Sequence, residues 1–166
     1  MARWSIGGRG VVEDAYRAGG AQHASSEEES MDPVVHFQMP AEDLQRMARF
    51  YEEAFGWQAQ ALGAEMGNYV LVTTTPSGPD GRPSTPGAIN GGLFQRPENP
   101  AGAAPHVVIA VADIEQAIAA VGRAGGEVAG PAEEIPGVGL FAAFSDSEGN
   151  HVSMLQPNPP EGAAAA

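Results

Sequence analysis

The chain has 166 residues, enough for one ordinary domain or two small repeated modules, and no apolar run approaches the about 18 residues of a membrane span. Cysteine is absent, which excludes disulfides, thiolate catalysis and cysteine-ligated zinc or iron–sulfur sites. The formal net charge of −13 repels phosphate backbones and anionic lipid, so we expect neither nucleic acid nor a membrane surface as a partner.

Residues 1–31 differ in composition from the rest of the chain, because they mix small and charged residues without apolar periodicity. A signal peptide needs an apolar stretch of about 7–15 residues, and this segment contains none. We expect a disordered leader or a non-native extension upstream of a natural start at Met31, and a cytoplasmic protein. Residues 158–166 end in four alanines and are expected to form a flexible tail.

An internal repeat lies between these two ends. Residues 36–43 align with residues 106–113 at an offset of 70, and the same offset relates Gly56 to Gly126. The last strands of the two halves correspond at an offset of 61, because the first half contains a long loop over residues 76–88. The repeat predicts two modules, residues 32–100 and residues 101–157.

Each module is predicted to contain a strand, a helix and three further strands. Apolar stripes at helical spacing predict helices over residues 43–55 and 113–124, with Asp43 and Asp113 at their N-termini. The strands expected in the first module cover residues 34–39, 57–62, 69–75 and 89–95. Those expected in the second module cover residues 106–111, 127–129, 140–145 and 151–156.

Strand alternation predicts which side chains share a face of the sheet. If the helices cover one face, the opposite faces of the strands form a concave surface. The side chains expected to line it are His36, Gln38, Asn90, Gly92, Phe94, His106, Val108, His151, Ser153 and Leu155. Polar groups in an apolar cup are typical of a ligand pocket. Each histidine taken alone also fits a half-solvated strand surface.

These motifs resemble the vicinal-oxygen-chelate superfamily of glyoxalases, bleomycin-resistance proteins and extradiol dioxygenases. Members of this superfamily carry a histidine seven residues before the aspartate that begins a helix, and residues 36–43 and 106–113 match this spacing. Residues 146–150 resemble the superfamily's Asp-Pro-Glu-Gly-Asn turn. Residues 90–93 and 135–141 resemble a bacterial glyoxalase-like subgroup related to lactoylglutathione lyase. The resemblance covers residues 33–156. It implies an α+β fold of two tandem βαβββ modules, which form a cupped mixed β-sheet with helices on its outer face.

The resemblance also implies where a metal ion would bind. The family takes one ligand from the first strand of each module, here His36 and His106, and one from the fourth strand, usually glutamate. The fourth-strand positions here are Gly92 and Ser153, so the four-ligand site is incomplete. The resemblance leaves open a zinc, nickel or iron ion held by His36 and His106, or a shifted site that uses His151.

Two functions from different classes fit these residues. The first is a binding protein for a small, partly apolar molecule, without a confident cofactor, and the missing carboxylates and acidic charge favour it. Its expected contacts are Gln38, Asn90, Gly92, Phe94, Val108, Ser153 and Leu155. The second is a metal-dependent glyoxalase-like lyase or isomerase, with His36, His106 and His151 as candidate catalytic residues. The expected partner is a small-molecule ligand, and both a monomer and a homodimer remain open.

Overall fold

The computed structural model describes residues 31–78, 83–98 and 102–159, so the predicted leader up to residue 30 and the tail beyond residue 159 lie outside the described residues. The described chain forms one mixed nine-stranded sheet with two α-helices. The predicted α+β architecture of two repeated modules is confirmed. Neither helix has the length and apolar character that would let it span a membrane.

The first module carries one long helix between its first two strands. Its elements are β1 (Val34–Ala41), α1 (Leu44–Phe55), β2 (Gln58–Ala61), a 3₁₀ helix (Ala64–Met66), β3 (Val70–Thr73) and β4 (Asn90–Gln95). Helix α1 begins after Asp43 because that carboxylate accepts the Arg46 backbone N–H at 2.9 Å. It ends at Gly56, whose left-handed φ of 70° is accessible to glycine at low cost.

The second module repeats this plan with an additional short strand. Its elements are β5 (His106–Ala110), α2 (Ile114–Arg123), β6 (Glu127–Val128), β7 (Glu133–Ile135), β8 (Gly139–Ser145) and β9 (His151–Pro157). Strand β7 was not among the predicted strands, because its three residues include two exposed glutamates and show no clear alternation. It pairs with β8, as β6 does further along the same strand.

The two modules join within one chain, where β1 pairs antiparallel with β5. His36 lies opposite Val108 and Gln38 lies opposite His106, so the pairing is symmetric about Phe37. This symmetry reproduces the sequence offset of 70 between the first strands. On the outer sides, β4 runs parallel to β1 and β9 runs parallel to β5. The sheet order is β2-β3-β4-β1-β5-β9-β8-β6.

Both helices cover the same face of the sheet. Ala48 of α1 packs in a buried cluster with Val70 and Leu93, while Ile114 of α2 packs with Met154. The opposite face of the sheet is the concave one. Residues 36, 38, 92, 106, 108 and 153 lie on that face because strand side chains alternate.

Candidate functional site

Polar side chains from the two central strands meet in the middle of the concave face. The His36 side chain is fully buried, and Gln38 and His106 are each only 9% exposed. The β1–β5 pairing places Gln38 directly beside His106. Polar groups at this depth must be hydrogen-bonded to be tolerated, so their partners decide what the site can do.

A chain of hydrogen bonds links the two first-strand histidines. His106 Nε2 donates to Gln38 Oε1 at 2.8 Å, and Gln38 Nε2 donates to the Tyr69 hydroxyl at 3.4 Å. The Tyr69 hydroxyl lies 3.0 Å from His36 Nε2. Because that hydroxyl accepts from Gln38, its own proton is available to His36. The two imidazoles are therefore bridged by Gln38 and Tyr69.

Tyr69 fills the space beside one of the family's ligand positions. A Cβ atom on Gly92 would overlap both the hydroxyl and the ring of Tyr69. The phenol thus occupies the volume that a longer side chain at position 92 would need. Tyr69 was not among the site residues predicted from the sequence. Alternation in the strand predicted over residues 69–75 could have found it, because Leu71 pairs with Gly92 and Tyr69 shares the face of Leu71.

Ser153 occupies the matching position in the second module. It lies on β9 between Val108 and Ala143, and its side chain is fully buried. Its Oγ has no hydrogen-bond partner among the described residues. A neutral alcohol is a weak ligand for the divalent metals that imidazole binds well.

The residues present do not fit the four-ligand metal site that the resemblance implies. Position 92 offers no side chain, position 153 offers a neutral hydroxyl, and His36 Nε2 already lies at hydrogen-bond distance from Tyr69. Within residues 31–78, 83–98 and 102–159, no group of three or more His, Asp or Glu side chains is arranged to hold a metal ion.

Burial holds the imidazoles in their neutral form. Burial, reinforced by the neighbouring His106, lowers the pKa of His36 from 6.5 to about 3. Burial also lowers the pKa of His106, although the Ala104 carbonyl 3.2 Å from Nδ1 opposes this shift. The pKa of His151 is lowered by burial as well. At neutral pH the site therefore offers uncharged nitrogen donors and acceptors.

One end of the concave face remains accessible. His151 and Phe94 are half-buried and flank His106 on either side. The His106 and His151 rings meet edge to face, with centroids 4.8 Å apart, and the Phe94 ring lies 5.7 Å from that of His106. These three rings, Phe94, His106 and His151, form what we term the aromatic end of the site.

The opposite end of the concave face is packed rather than open. Val108 and Leu155 are fully buried and form an apolar cluster with Met66 of the 3₁₀ helix and Val138. Side chains of Leu62, Ile135 and Phe141 pack around this cluster. The predicted lining residues therefore divide into an accessible group and a group inside the protein core.

Asn90 hydrogen-bonds to the loop between β3 and β4, inside the first module. Its Oδ1 accepts the Thr74 backbone N–H at 2.9 Å, and its Nδ2 donates to Ser77 Oγ at 3.3 Å. The Ser84 N–H donates to the Pro76 carbonyl at 2.8 Å and closes the described ends of the loop. Both the oxygen and the nitrogen of the Asn90 amide are therefore hydrogen-bonded to residues at the start of this loop.

Two shallow depressions lie beside helix α1. Their volumes are about 600 and 490 Å³, and both border the N-terminal end of α1. Met47, Phe50 and Arg96 line the larger depression. The ten residues predicted to line the cup contribute to neither depression.

Comparison with known proteins agrees with this architecture. Methylmalonyl-CoA epimerase from Streptomyces coelicolor is 16% identical, with 78% of this chain and 100% of that chain covered and a TM-score of 0.57. The epimerase from Mycobacterium tuberculosis is 15% identical, with 84% and 98% covered and a TM-score of 0.57. A hypothetical protein from Bacillus halodurans C-125 is 13% identical, with 78% and 97% covered and a TM-score of 0.56.

At these identities, the likeness to the solved structures shows the fold alone. No curated protein sequence matches the chain significantly. The family model for the glyoxalase-like domain, in contrast, matches residues 34–155, which is most of the chain. The protein therefore belongs to the glyoxalase-like domain family, within the vicinal-oxygen-chelate superfamily.

Proposed function

We propose that this domain binds a small, partly apolar molecule at the aromatic end of its concave face, without a resident metal ion. The observation that carries the proposal is the position of Tyr69. Its hydroxyl lies 3.0 Å from His36 Nε2, and its ring takes the volume next to Gly92. Both features support hydrogen bonding inside the protein, rather than ion coordination, at this point.

The aromatic end suggests the chemistry of the ligand. Phe94 and the imidazoles of His106 and His151 present ring faces and edges to a planar molecule. Since the half-buried His151 imidazole is neutral, it can exchange hydrogen bonds with an uncharged ligand. The net charge of −13 disfavours anions and favours neutral or cationic compounds. We therefore propose a neutral or cationic planar heteroaromatic compound as the ligand class.

Metal analysis of the purified protein tests the first half of the proposal. We expect less than about 0.1 equivalent of zinc, nickel or iron per chain, because two imidazoles alone rarely hold these ions tightly. Addition of Zn²⁺ or Ni²⁺ should leave the His36 imidazole resonances unchanged. Near-stoichiometric metal, or a saturable one-to-one shift of those resonances, would show that the metal-free assignment is wrong.

Ligand titration followed by the imidazole resonances tests the second half. The panel contains planar aromatic compounds of negative, zero and positive charge, together with propionyl-CoA, because the Streptomyces coelicolor epimerase structure contains 2-nitronate-propionyl-CoA. We expect neutral or cationic aromatics to shift the His106 and His151 resonances more than those of the buried His36. His151→Ala should abolish the shift of the His106 resonances. Gln45→Ala, at an exposed position of α1, should leave that shift unchanged. Preferential binding of propionyl-CoA would contradict the proposed ligand class.

A second candidate function rests on the contact between His106 and His151. The neutral His151 imidazole, whose ring centroid lies 4.8 Å from that of His106 at the accessible end, could take a proton from a carbon acid, as a lyase or isomerase requires. Hydrogen–deuterium exchange at the carbon next to a carbonyl, followed in D₂O for each ligand that binds, separates the two candidates. Exchange that disappears in His151→Ala favours the enzyme, and binding without exchange favours the binding protein.

A further inference from the structure

The two modules fill their halves of the concave face differently. The pairing of β3 with β4 places Leu71 beside Gly92, and the pairing of β8 with β9 places Ala143 beside Ser153. Gly92 and Ser153 occupy matching positions of the repeat, so Leu71 and Ala143 match as well. Leu71 is 7% exposed, and Tyr69, the neighbouring residue on that face of the strand, is buried too. Large side chains thus fill the concave half of the first module.

Small side chains form the corresponding floor in the second module. Ala143 lies on the same face of the sheet as Ser153, because directly paired strand residues share a face, and Ser145 follows Ala143 on that face of β8. Both Ala143 and Ser145 are only half-buried, so solvent reaches the residue directly beside Ser153. The leucine side chain that fills the first module has no counterpart here.

The hydroxyl group of Ser153 indicates that this floor receives a ligand. The side chain is fully buried, and its Oγ has no hydrogen-bond partner within the part of the chain that the structure describes. A buried hydroxyl without a partner lowers stability, so native proteins retain few of them without a use. Rotation about the Cα–Cβ bond can turn Oγ towards the half-buried Ala143. A polar group above Ala143 would then receive the missing hydrogen bond.

Acidic side chains border this floor on its outer side. Glu127 of β6 is paired with Ser145, and Glu133 of β7 is paired with Phe141, so both glutamates lie on the concave side of the sheet. Both are exposed. Strands β6, β7, β8 and β9 contain no arginine or lysine that would neutralise them. The electrostatic field at this edge therefore attracts cations.

We propose that Ala143, Ser145 and Ser153 form a ligand subsite, which we term the second-module subsite, for a cationic heteroaromatic amide. The inference rests on the proposed function, because it extends the ligand from the aromatic end into the concave half of the second module. Ser153 lies two residues beyond His151 on the same face of β9, about 7 Å away. A single heteroaromatic ring with a carboxamide spans this distance. The ring lies over the small side chains, the carbonyl accepts from Ser153 Oγ, and the positive charge faces the two glutamates.

Two planar cations test the role of the hydroxyl group. The probe is 1-methylnicotinamide, and 1-methylpyridinium, which lacks the carboxamide, is its matched control. Binding of each to the full chain is followed by the His151 imidazole resonances. Ser153→Ala should weaken binding of 1-methylnicotinamide about fivefold and leave that of 1-methylpyridinium unchanged, because only the amide loses a hydrogen bond.

The acidic border is tested separately from the hydroxyl group. The double variant Glu127→Gln/Glu133→Gln should weaken binding of both cations about threefold, and it should leave binding of uncharged nicotinamide unchanged. Glu115→Gln removes an exposed acid from α2, on the opposite face of the sheet, and should leave the binding of all three compounds unchanged.

Ala143→Leu tests whether the open space is used. This substitution gives the second module the side chain that the first module carries at the matching position, so the fold should tolerate it while both cations lose their site. Leu71→Val, a change of similar kind in the first module, is the control and should leave binding unchanged. Circular dichroism verifies folding of each variant. If Ala143→Leu does not fold, Ser153→Ala and the glutamine variant decide.

The outcomes separate this inference from the proposed function. If no planar aromatic compound shifts the His151 resonances of the wild type, the proposed function is wrong and the second-module subsite falls with it. The subsite alone is overturned if other aromatic compounds bind but 1-methylnicotinamide does not. It is likewise overturned if Ser153→Ala and folded Ala143→Leu bind 1-methylnicotinamide as the wild type does, since the ligand then stays at the aromatic end.

Discussion

Tyr69 and Gly92 are the pair of residues on which the interpretation of the site depends. The ring of Tyr69 fills the place of a side chain at position 92, so the two positions cannot both be large. The same contact explains why glycine, a poor strand former, stands in the middle of β4.

Adding one methyl group at position 92 should therefore be costly only while Tyr69 is present. We expect Gly92→Ala to lower the free energy of unfolding by about 1–3 kcal/mol, because the ring must move. In a Tyr69→Ala background the same substitution should cost little, which gives a coupling energy of about 0.5–3 kcal/mol in urea denaturation. Gly122→Ala, where a Cβ meets no neighbour, is the control. Additive effects of the two substitutions would contradict direct contact.

His36 couples the stability of the fold to pH. Its pKa is about 3 in the folded chain and near 6.5 in the unfolded chain, so below pH 6.5 the unfolded state binds the extra proton. The contribution of His36 to stability is complete above pH 6.5 and is lost as the pH falls towards 3. One proton corresponds to a slope of about 1.4 kcal/mol per pH unit.

We expect His36→Gln to reduce the dependence of the unfolding free energy on pH between 7 and 4 by about that slope. His106 and His151, whose pKa values are also lowered, should preserve a smaller dependence of the same sign. The half-buried His151 provides the control, because His151→Gln should change the slope less. An unchanged slope in His36→Gln would show that this ring is not the group that titrates.

At the scale of elements, β4 is a strand enclosed by aromatic rings on both faces. A Cβ on Gly91 would overlap the Phe37 ring on the helix-facing side, while Gly92 leaves room for Tyr69 on the concave side. Two adjacent glycines would ordinarily weaken a strand. Here the rings supply the packing that the glycines cannot, so tertiary structure overrides local propensity.

The turn between β8 and β9 positions His151. The Asp146 carboxylate accepts the backbone N–H groups of Glu148 and Asn150, each at 2.9 Å, and the Asn150 side-chain amide at 2.9 Å. The Asn150 side chain contributes most to holding the pKa of Asp146 below its ordinary value. This network sets the path of the chain into His151, the first residue of β9.

Loss of the hydrogen bonds of this turn should change the position of His151 at the aromatic end and leave the fold intact. We expect Asp146→Ala to shift the His151 imidazole resonances and to weaken aromatic ligand binding, with the circular dichroism spectrum unchanged. Ser147→Ala, at an exposed position of the same turn, should alter neither resonance nor binding. A wild-type affinity in Asp146→Ala would indicate that His151 does not need this turn to reach the ligand.

At the scale of the whole molecule, the repeat made the fold predictable. The offset of 70 placed His36 and His106 at equivalent positions, and alternation assigned them to the same face. The packing of that face could not be predicted. Met66 and Val138 lie outside the regular strands, where no two-residue period governs side-chain direction, and the contact of Tyr69 with His36 depends on strand order. Met66 and Val138 cover one end of the concave face, so the side chains predicted to line it are accessible at one end and packed at the other.

The pairing of β1 with β5 also has a consequence for folding while the chain is being synthesised. The strands are 70 residues apart, and synthesis delivers the whole first module before β5 exists. Until then β1 keeps one edge without its eventual partner, and such an edge can accept a strand from another nascent chain. The finished sheet ends instead in short strands, β2 with four residues and β6 with two. We therefore expect aggregation to be favoured most in the interval of translation between the two modules.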